Sequence, residues 1–99
     1  VVELELAIDL NPEDAELHFG LAMAYRNRLG EGDAARAIEE MEESLALDPD
    51  LPSAHYHLGS MYLSIGQQDR AREHLQRASD LDTNGFLRRR AELLLLELE

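Results

Sequence analysis

Apolar side chains recur along this chain every three or four residues, the spacing that keeps them on one face of an α-helix. No segment alternates apolar and polar residues for long enough to predict a β-strand. Together with breaks at proline and glycine, this pattern predicts about six short helices. The first ends at Asn11, the next four run over about 13–28, 34–47, 52–65 and 68–81, and the last begins at Phe86.

Residue types at the predicted helix ends support these boundaries. Pro12 and Pro52 suit the first turn of a helix, because proline has no N–H to leave unsatisfied there. Asp33 is the residue expected to cap the N-terminus of the helix over 34–47. Two further breaks are expected at Leu29–Gly32 and at Asp82–Gly85.

The same segment occurs twice, 37 residues apart. The first copy is His18-Phe19-x-Leu21-Ala22-x-x-Tyr25, and the second is His55-Tyr56-x-Leu58-Gly59-x-x-Tyr62. Leu10-Asn11-Pro12 returns at the same step as Leu47-Asp48-Pro49. A fixed period in this range, with prolines between helices, indicates a stack of repeats. Such a stack offers an extended surface for binding rather than a closed catalytic pocket.

The chain is strongly acidic. Its 21 acidic residues outnumber nine basic ones, all arginine, and the net charge is −12. Nucleic acid is therefore not expected as a partner, because phosphate binding requires a basic surface. Three interpretations of the acidity stay open: solubility through self-repulsion, adaptation to high internal salt, and recruitment of a basic partner.

The same sequence limits where the chain is expected to act. It has no cysteine, which excludes disulfides and thiolate metal sites and leaves the redox compartment open. The longest apolar run, Leu93–Leu96, is far shorter than the ~20 residues that span a bilayer. No basic segment typical of a signal peptide follows Val1, so we expect no membrane insertion and favour a cytoplasmic location. The missing initiator methionine suggests an excised fragment, and Leu98-Glu99 matches a cloning scar.

The repeated segment resembles the tetratricopeptide repeat (TPR) family. That family uses a 34-residue helix–turn–helix, with a large residue, Leu-Gly or Leu-Ala, and Tyr on helix A, and a closing proline. The second repeat matches without a gap at His55, Leu58-Gly59, Tyr62, Gly66, Ala71, Leu75 and Ala78. The first matches at His18, Leu21-Ala22, Tyr25, Gly32, Ala37, Met41, Ser44 and Pro49, with three extra residues near Arg28-Leu29-Gly30. The departures are two histidines where the family often has tryptophan, Ser44 in place of alanine, and Thr83 in place of the last proline.

The resemblance implies an all-α fold of antiparallel helix–turn–helix repeats, stacked as a right-handed TPR superhelix. One domain over 1–99 would contain the end of a preceding helix B (1–11), two repeats (12–48 and 49–82) and an extra or capping helix (83–99). The implied function is a non-catalytic protein–protein interaction module. It would bind a peptide or helix of a partner protein in a concave groove lined by helix A, without a cofactor.

The resemblance also assigns the groove residues. In the family, these follow the large residue of helix A by one, five, eight and nine positions. They are here Phe19, Met23, Arg26, Asn27, Tyr56, Ser60, Leu63 and Ser64, with Arg90 and Leu94 from the last helix. The alternative is that Phe19 and Tyr56 pack against each other. Because the chain has no lysine, the lysine–asparagine clamp that some members use for a C-terminal carboxylate is absent, and the common chaperone-tail ligand is not expected.

Metal and catalytic chemistry find little support. His55 and His57 are two residues apart and lie on different helix faces. No His-Glu-x-x-His spacing or nucleophile motif is present, so we expect neither a metal site nor an enzyme. The acidic residues within Glu39–Glu43 are either a solvated face or a docking site for a basic partner.

The last helix supports an alternative function. A half-buried helix needs only one apolar stripe, so the four leucines Leu93–Leu96 leave at least one facing outward. Either a following repeat covers it, or the helix joins two copies as a homodimer. Arg88–Arg90 is a solvated turn, a partner for Glu39–Glu43 of another copy, or a site for an acidic ligand. A third interpretation is a spacer within a larger protein.

Overall fold

The computed structural model describes residues 2–28, 30–82 and 85–98. Within these ranges the chain forms six α-helices and no β-strand, which confirms the all-α prediction. The helices are α1 (Val2–Leu10), α2 (Ala15–Arg28), α3 (Asp33–Leu47), α4 (Pro52–Ser64), α5 (Gln68–Leu81) and α6 (Phe86–Glu97). The chain divides into two compact units, Val1–Pro49 and Asp50–Glu99.

In the first unit, α2 and α3 form an antiparallel pair, and α1 packs on α2. The pairing direction follows from two contacts at opposite ends of the helices. The Ser44 hydroxyl donates a hydrogen bond of 2.8 Å to the Ala15 carbonyl, and Arg28 contacts Asp33 at 2.8 Å. The core side chains of this pair are small or aliphatic, apart from one aromatic ring: Leu21, Ala22, Tyr25, Ala37, Met41 and Leu45.

The second unit repeats this arrangement and adds one helix. The α4 and α5 helices form the antiparallel pair, and α6 packs on α5 and, less extensively, on α4. A cluster of Tyr56, Leu75, Ala78 and Ala91 joins the three helices. The domain boundaries expected from the sequence stay predictions.

Gly59 sets the distance between α4 and α5. A Cβ atom at this position would lie 2.8 Å from Leu75 Cγ and 3.2 Å from the Ala71 carbonyl oxygen. Both distances are shorter than ordinary carbon contacts, so the two helices cross this closely only because residue 59 lacks a side chain. The small residue that the repeat pattern places here therefore has a packing role.

Two helix starts differ from the prediction. The α2 helix begins at Ala15, because Asp14 accepts a 2.9 Å hydrogen bond from the Glu16 amide and acts as its cap. Pro12 consequently lies in the preceding turn and not in the first turn of the helix. The prediction that Asp33 caps α3 is also wrong, because Gly32 occupies the cap position with φ of 77°.

The remaining helix ends agree with the sequence more closely. Pro52 is in the first turn of α4, and α5 covers the predicted range. Gly66 adopts a φ of 80° after α4, a left-handed conformation that favours glycine. Of the two predicted breaks, Leu29 and the pair Thr83-Asn84 lie outside the described residues.

Candidate functional site

The groove residues predicted for the first unit lie on one flank of α2. Leu21, Ala22 and Tyr25 face α3 and are buried. Phe19, Met23 and Arg26 are half-buried, and Asn27 is exposed. This flank borders the side of α2 that meets α1, because Gly20, which lies against Leu4, is three residues before Met23 and seven before Asn27. An apolar pair bordered by polar side chains therefore lies along α2.

In the second unit, the predicted residues lie where α6 meets α4. Leu63 and Leu94 pack against the core cluster yet stay half-buried, and Ser60 is half-buried beside them. Ser64 is exposed, and its hydroxyl donates a 3.1 Å hydrogen bond to the Ser60 carbonyl. The result is a half-covered aliphatic strip with hydroxyl groups along one edge.

Tyr56 is less accessible than the sequence led us to expect. It is only 8% exposed and belongs to the core cluster of the second unit. The Arg90 guanidinium lies 5.4 Å from the centre of its ring and 5.7 Å from that of Phe86, distances typical of cation–π contacts. Arg90 itself is exposed, so the pair presents a positive charge above an aromatic ring.

His18 fills the large slot of the first repeat and forms an ion pair. Its Nδ1 lies 2.8 Å from Glu40 Oε1, and its Nε2 lies 2.9 Å from the Pro12 carbonyl oxygen. Both neighbours are acceptors, so only the protonated ring can donate to both. Burial lowers the pKa of His18, but these bonds, with the charges of Glu40 and Glu43, outweigh it and raise that pKa above 6.5.

His55 fills the same slot in the second repeat and has a different partner. Its Nδ1 lies 3.1 Å from His74 Nδ1, and the two rings stack with centroids 5.3 Å apart. Tyr62 stacks on the other side of His74 at 5.7 Å. The sequence placed both histidines in packing positions, and their low exposure agrees, but their partners lie too far along the chain to be predicted from spacing.

Asp33 closes the turn between α2 and α3. Its carboxylate, 1% exposed, accepts two 2.8 Å hydrogen bonds from the Arg28 guanidinium and one of 2.7 Å from the Gly30 amide. The Arg28 bond lowers the pKa of Asp33 strongly; burial opposes this, and the bonds from Gly30 and Arg36 add to it. This buried charge is paired, so it is a structural element of the turn and not a catalytic candidate.

The arginine run at the start of α6 is partly used within the second unit. Asp82 accepts a 2.9 Å hydrogen bond from the Arg88 amide, and the Arg88 guanidinium donates one of 3.0 Å to the Ser79 carbonyl. Arg90 lies over Tyr56, which leaves Arg89 as the member of the run directed away from these contacts. Pairing of the run with Glu39–Glu43 of another copy, or with an acidic ligand, stays a prediction.

The leucine run divides as helical spacing requires. Leu93 and Leu96 are 58% and 61% exposed, whereas Leu94 and Leu95 are half-buried against the core. The prediction that at least one leucine faces outward is therefore confirmed.

Metal binding and membrane crossing find no support within the described residues. Within 2–28, 30–82 and 85–98, no group of three or more histidine, aspartate or glutamate side chains is placed to hold a metal ion. In the same part of the chain, every helix falls short of the length and apolar character that crossing a bilayer requires.

Comparison with known proteins identifies the repeat. A family model described as tetratricopeptide repeat matches residues 28–94. The chain is 29% identical over 84 residues to tetratricopeptide repeat protein 37 of Xenopus laevis, covering 82% of this chain and 5% of that protein. It is 35% identical over 69 residues to the TPR repeat-containing thioredoxin TTL4 of Arabidopsis thaliana (70% and 10%). It is 32% identical over 96 residues to cellulose synthase operon protein C of Escherichia coli K12 (83% and 8%).

The chain spans a tenth or less of the length of these three relatives. Among solved structures it resembles MamA, with a TM-score of 0.76 and 27% identity over 86% of this chain and 47% of that one. It also resembles the Yersinia enterocolitica type III secretion translocator chaperone SycD, with a TM-score of 0.86 and 19% identity over 96% and 66% of the two chains. The second likeness concerns the fold alone.

Proteins built from these repeats are generally non-catalytic scaffolds that bind other proteins, and the present chain is an interaction module in this general sense. The helix-A motif, the small residues at the helix crossing and the family match over residues 28–94 agree with one another. The chain belongs to the tetratricopeptide repeat family.

Proposed function

We propose that the helix-A side chains assigned to the groove bind an extended peptide or a helix of a partner protein. The observation that carries this proposal is the strip of the second unit, where Leu63 and Leu94 are half-buried beside the exposed guanidinium of Arg90. A half-buried aliphatic pair gains from further burial, at ~25 cal/mol per Å² of apolar surface. A charged neighbour at its edge fixes the orientation of the ligand.

The first unit offers similar chemistry on α2. Met23 is half-buried, and its flexible thioether adapts to ligands of different shape. Asn27 is exposed one helical turn further along and can hydrogen-bond to the main chain of an extended peptide. Phe19 lies half-buried on the same flank.

In this proposal Tyr56 supports the groove from within the core and does not itself contact the ligand. Because its ring is buried between α4 and α6, replacing it by alanine would open a cavity in the core and weaken the fold. Variants that test binding must therefore be placed at the more accessible groove residues.

The experiment uses peptides selected from a random phage-displayed library against the intact chain. The affinity of each selected peptide is then measured by calorimetry for the wild type and for Met23→Ala, Leu63→Ala and Arg90→Glu. We expect each change to weaken binding by about tenfold or more, as for interface residues that cost more than 1 kcal/mol. Arg77→Glu is the control, because Arg77 is exposed on α5 and has the same charge.

Two results would contradict the proposal. One is that no peptide is enriched on the folded protein. The other is that enriched peptides bind the three groove variants as tightly as the wild type, which would place their site elsewhere. Circular dichroism of every variant separates loss of binding from loss of helix.

Self-association through α6 is a second candidate function, favoured by the exposed side chains of Leu93 and Leu96. The interpretation as a spacer within a larger protein and the cytoplasmic location stay predictions.

A further inference from the structure

Exposed apolar side chains are concentrated on two helices. Among the described residues, those of α1 and α6 account for most of the large apolar side chains that are exposed: Val2, Leu6, Leu10, Phe86, Leu93 and Leu96. Leu10 is 89% exposed and Val2 is 66% exposed. Isolated exposed leucines are ordinary, but a stripe of them on one helix marks a contact surface.

On α6, the exposed Leu96 and the half-buried Leu95 border a groove. Leu95 and Leu96 form its apolar side, and Arg72 and Gln76 of α5 form the other, around a volume of about 430 Å³. Arg72 stands at one end, where its guanidinium donates a 3.3 Å hydrogen bond to the Leu98 carbonyl. Glu92 also lines the groove and is the one acid among the described residues that do so.

On α1, the exposed stripe has different residue types from the same positions of α3, the equivalent helix of the next repeat. The step of 37 residues that aligns Leu10 with Leu47 also aligns Val2 with Glu39 and Leu6 with Glu43. Glu39 and Glu43 are exposed on α3, as expected for a face in water. The same positions on α1 are aliphatic, so this face of α1 has the composition of a contact surface and not of a solvated one.

Acids of the α1 surface can pair with arginines at the two ends of the groove, one of which, Arg72, also contacts Asp69 at 3.4 Å. The α1 helix carries Glu3, Glu5 and Asp9 and no base. The groove has Arg72 at one end, and Arg89 stands near its other end at the start of α6. Within the described part of the chain, no hydrogen bond or ion pair engages the side chain of Arg89 or of Asp9. An acidic helix laid antiparallel to α6 brings its N-terminal acids to Arg72 and Asp9 to Arg89.

The antiparallel direction agrees with the helix pairs of this chain. In both α2–α3 and α4–α5, the second helix of the pair runs against the first. By its position in the repeat, α1 corresponds to helix B, the second helix of a pair. The α6 helix starts 34 residues after Pro52 and corresponds to helix A, the first helix of a pair.

We propose that α1 of one copy docks into the α5–α6 groove of a second copy, head to tail. This contact is heterologous, because two different surfaces meet, and a dimer formed in this way keeps one free α1 surface and one free groove, to which further copies can add. It does not use Leu63, Leu94 or Arg90, so it is independent of the peptide-binding proposal.

The test measures the solution mass of the 99-residue chain by sedimentation over a wide concentration series. We expect the mass of the wild type to rise with concentration and to pass beyond that of a dimer. Leu6→Glu on α1 and Leu96→Glu on α6 each place a charge in the contact, and each should raise the dissociation constant by roughly thirtyfold. Ile65→Glu is the matched control, because Ile65 is an exposed side chain after α4 that belongs to neither surface.

Mixing the two variants tests the head-to-tail geometry. The Leu6→Glu protein keeps its groove, and the Leu96→Glu protein keeps its α1 surface, so the mixture should form a one-to-one complex and nothing larger.

A charge exchange gives a second readout: Arg89→Glu and Asp9→Arg should each weaken association, and the two together in one chain should restore it.

Three results would overturn the proposal. The first is a wild-type chain that stays monomeric at all concentrations. The second is association of Leu6→Glu equal to that of the wild type, which would indicate an α6–α6 contact. The third is failure of the two variants to combine while circular dichroism shows both to be folded.

Discussion

At the scale of single residues, the large slot of helix A shows how one position can serve two kinds of contact. His18 donates to a carboxylate and to a main-chain carbonyl, and His55 bonds to another histidine. The two helix pairs otherwise share their small residues and their tyrosine. The partner on helix B therefore decides which kind of contact the slot makes.

The stability supplied by the His18–Glu40 pair depends on pH. Because the folded-state pKa of His18 is raised, this stability is fully present below its ordinary pKa of 6.5 and is lost as pH rises through the folded-state value. We expect Glu40→Gln to lower the free energy of unfolding by about 1–2 kcal/mol in the acidic range and by less at higher pH. Urea unfolding at a series of pH values measures this difference.

The neighbouring Glu39→Gln is the control, since Glu39 is exposed on the same helix. Its effect should vary little over the pH range in which His18 titrates. A Glu40→Gln difference that stays constant, or grows with pH, would contradict the assignment of a protonated His18.

Sequence reasoning placed these residues correctly but missed their partners. The sequence predicts packing positions for His18 and His55 because both fill the slot of a repeated motif. Glu40 is 22 positions from His18, and His74 is 19 positions from His55, so each contact depends on how two helices pair. Local spacing reports which face of a helix a residue occupies and not which side chain lies opposite it.

At the scale of helices, the crossing of α4 and α5 depends on Gly59, whereas the other helical glycine has room. A Cβ atom at Gly20 would lie 3.5 Å from Leu4 Cδ2, an ordinary contact. The two glycines thus share a helical conformation and differ in what stands opposite them. This makes them a matched pair for testing the helix crossing.

We expect Gly59→Ala and Gly20→Ala to have opposite effects. At Gly59 the new methyl group would overlap Leu75, and we expect a loss of about 1–3 kcal/mol. At Gly20 the methyl group fits, and the better helix propensity of alanine should add about 0.5–1 kcal/mol. Denaturant unfolding of both variants measures the difference, and equal effects would mean that the crossing can widen freely.

Helix ends show where local rules compete. Pro52 and Pro12 look alike in sequence, yet only Pro52 enters a first turn, because Asp14 caps α2 two residues after Pro12. Asp33 has the residue type of a cap, but its carboxylate bonds to Arg28 and Gly30. In both cases a side-chain hydrogen bond decided where the helix begins. Residue types alone could not show which of the possible starting residues would be used.

At the scale of the whole molecule, charge is the dominant property. With 21 acids and nine arginines, most acidic side chains have no basic partner available. Self-repulsion of this kind opposes the compact state and works against any association of copies. The salt concentration should therefore be fixed when the affinity in either binding proposal is measured.

We expect added sodium chloride to stabilise the chain. Screening weakens repulsion between exposed acids, since the Debye length falls from about 10 Å at 0.1 M to about 3 Å at 1 M salt. The free energy of unfolding should rise by an amount on the order of 1 kcal/mol over this range. The combined variant Glu13→Gln, Glu39→Gln has fewer acids and should gain less.

A fall in stability with salt would contradict this view and indicate that the few ion pairs outweigh the repulsion. A chain that folds only in molar salt would favour adaptation to a saline interior over simple solubility.

The repeat fold was predictable because its signals are redundant: a fixed period, small residues at crossings and prolines between helices. For the groove, the sequence predicted which side of helix A its residues occupy, but not how exposed each of them is. Tyr56 illustrates the limit, since its motif position suggests an open ring, but α6 and Arg90 cover it. Burial of a groove residue depends on the helix that follows, which the motif does not encode.

The close approach of His55 and His74 has a consequence for tautomerism. Two Nδ1 atoms 3.1 Å apart share one hydrogen, so one ring carries it on Nδ1 and the other must carry its own on Nε2. When both rings are neutral they therefore hold opposite tautomers, and this bond is kept only if a change in one is matched by a change in the other. Nitrogen chemical shifts of the two imidazoles should report one ring of each form, which makes the core of this repeat directly visible to spectroscopy.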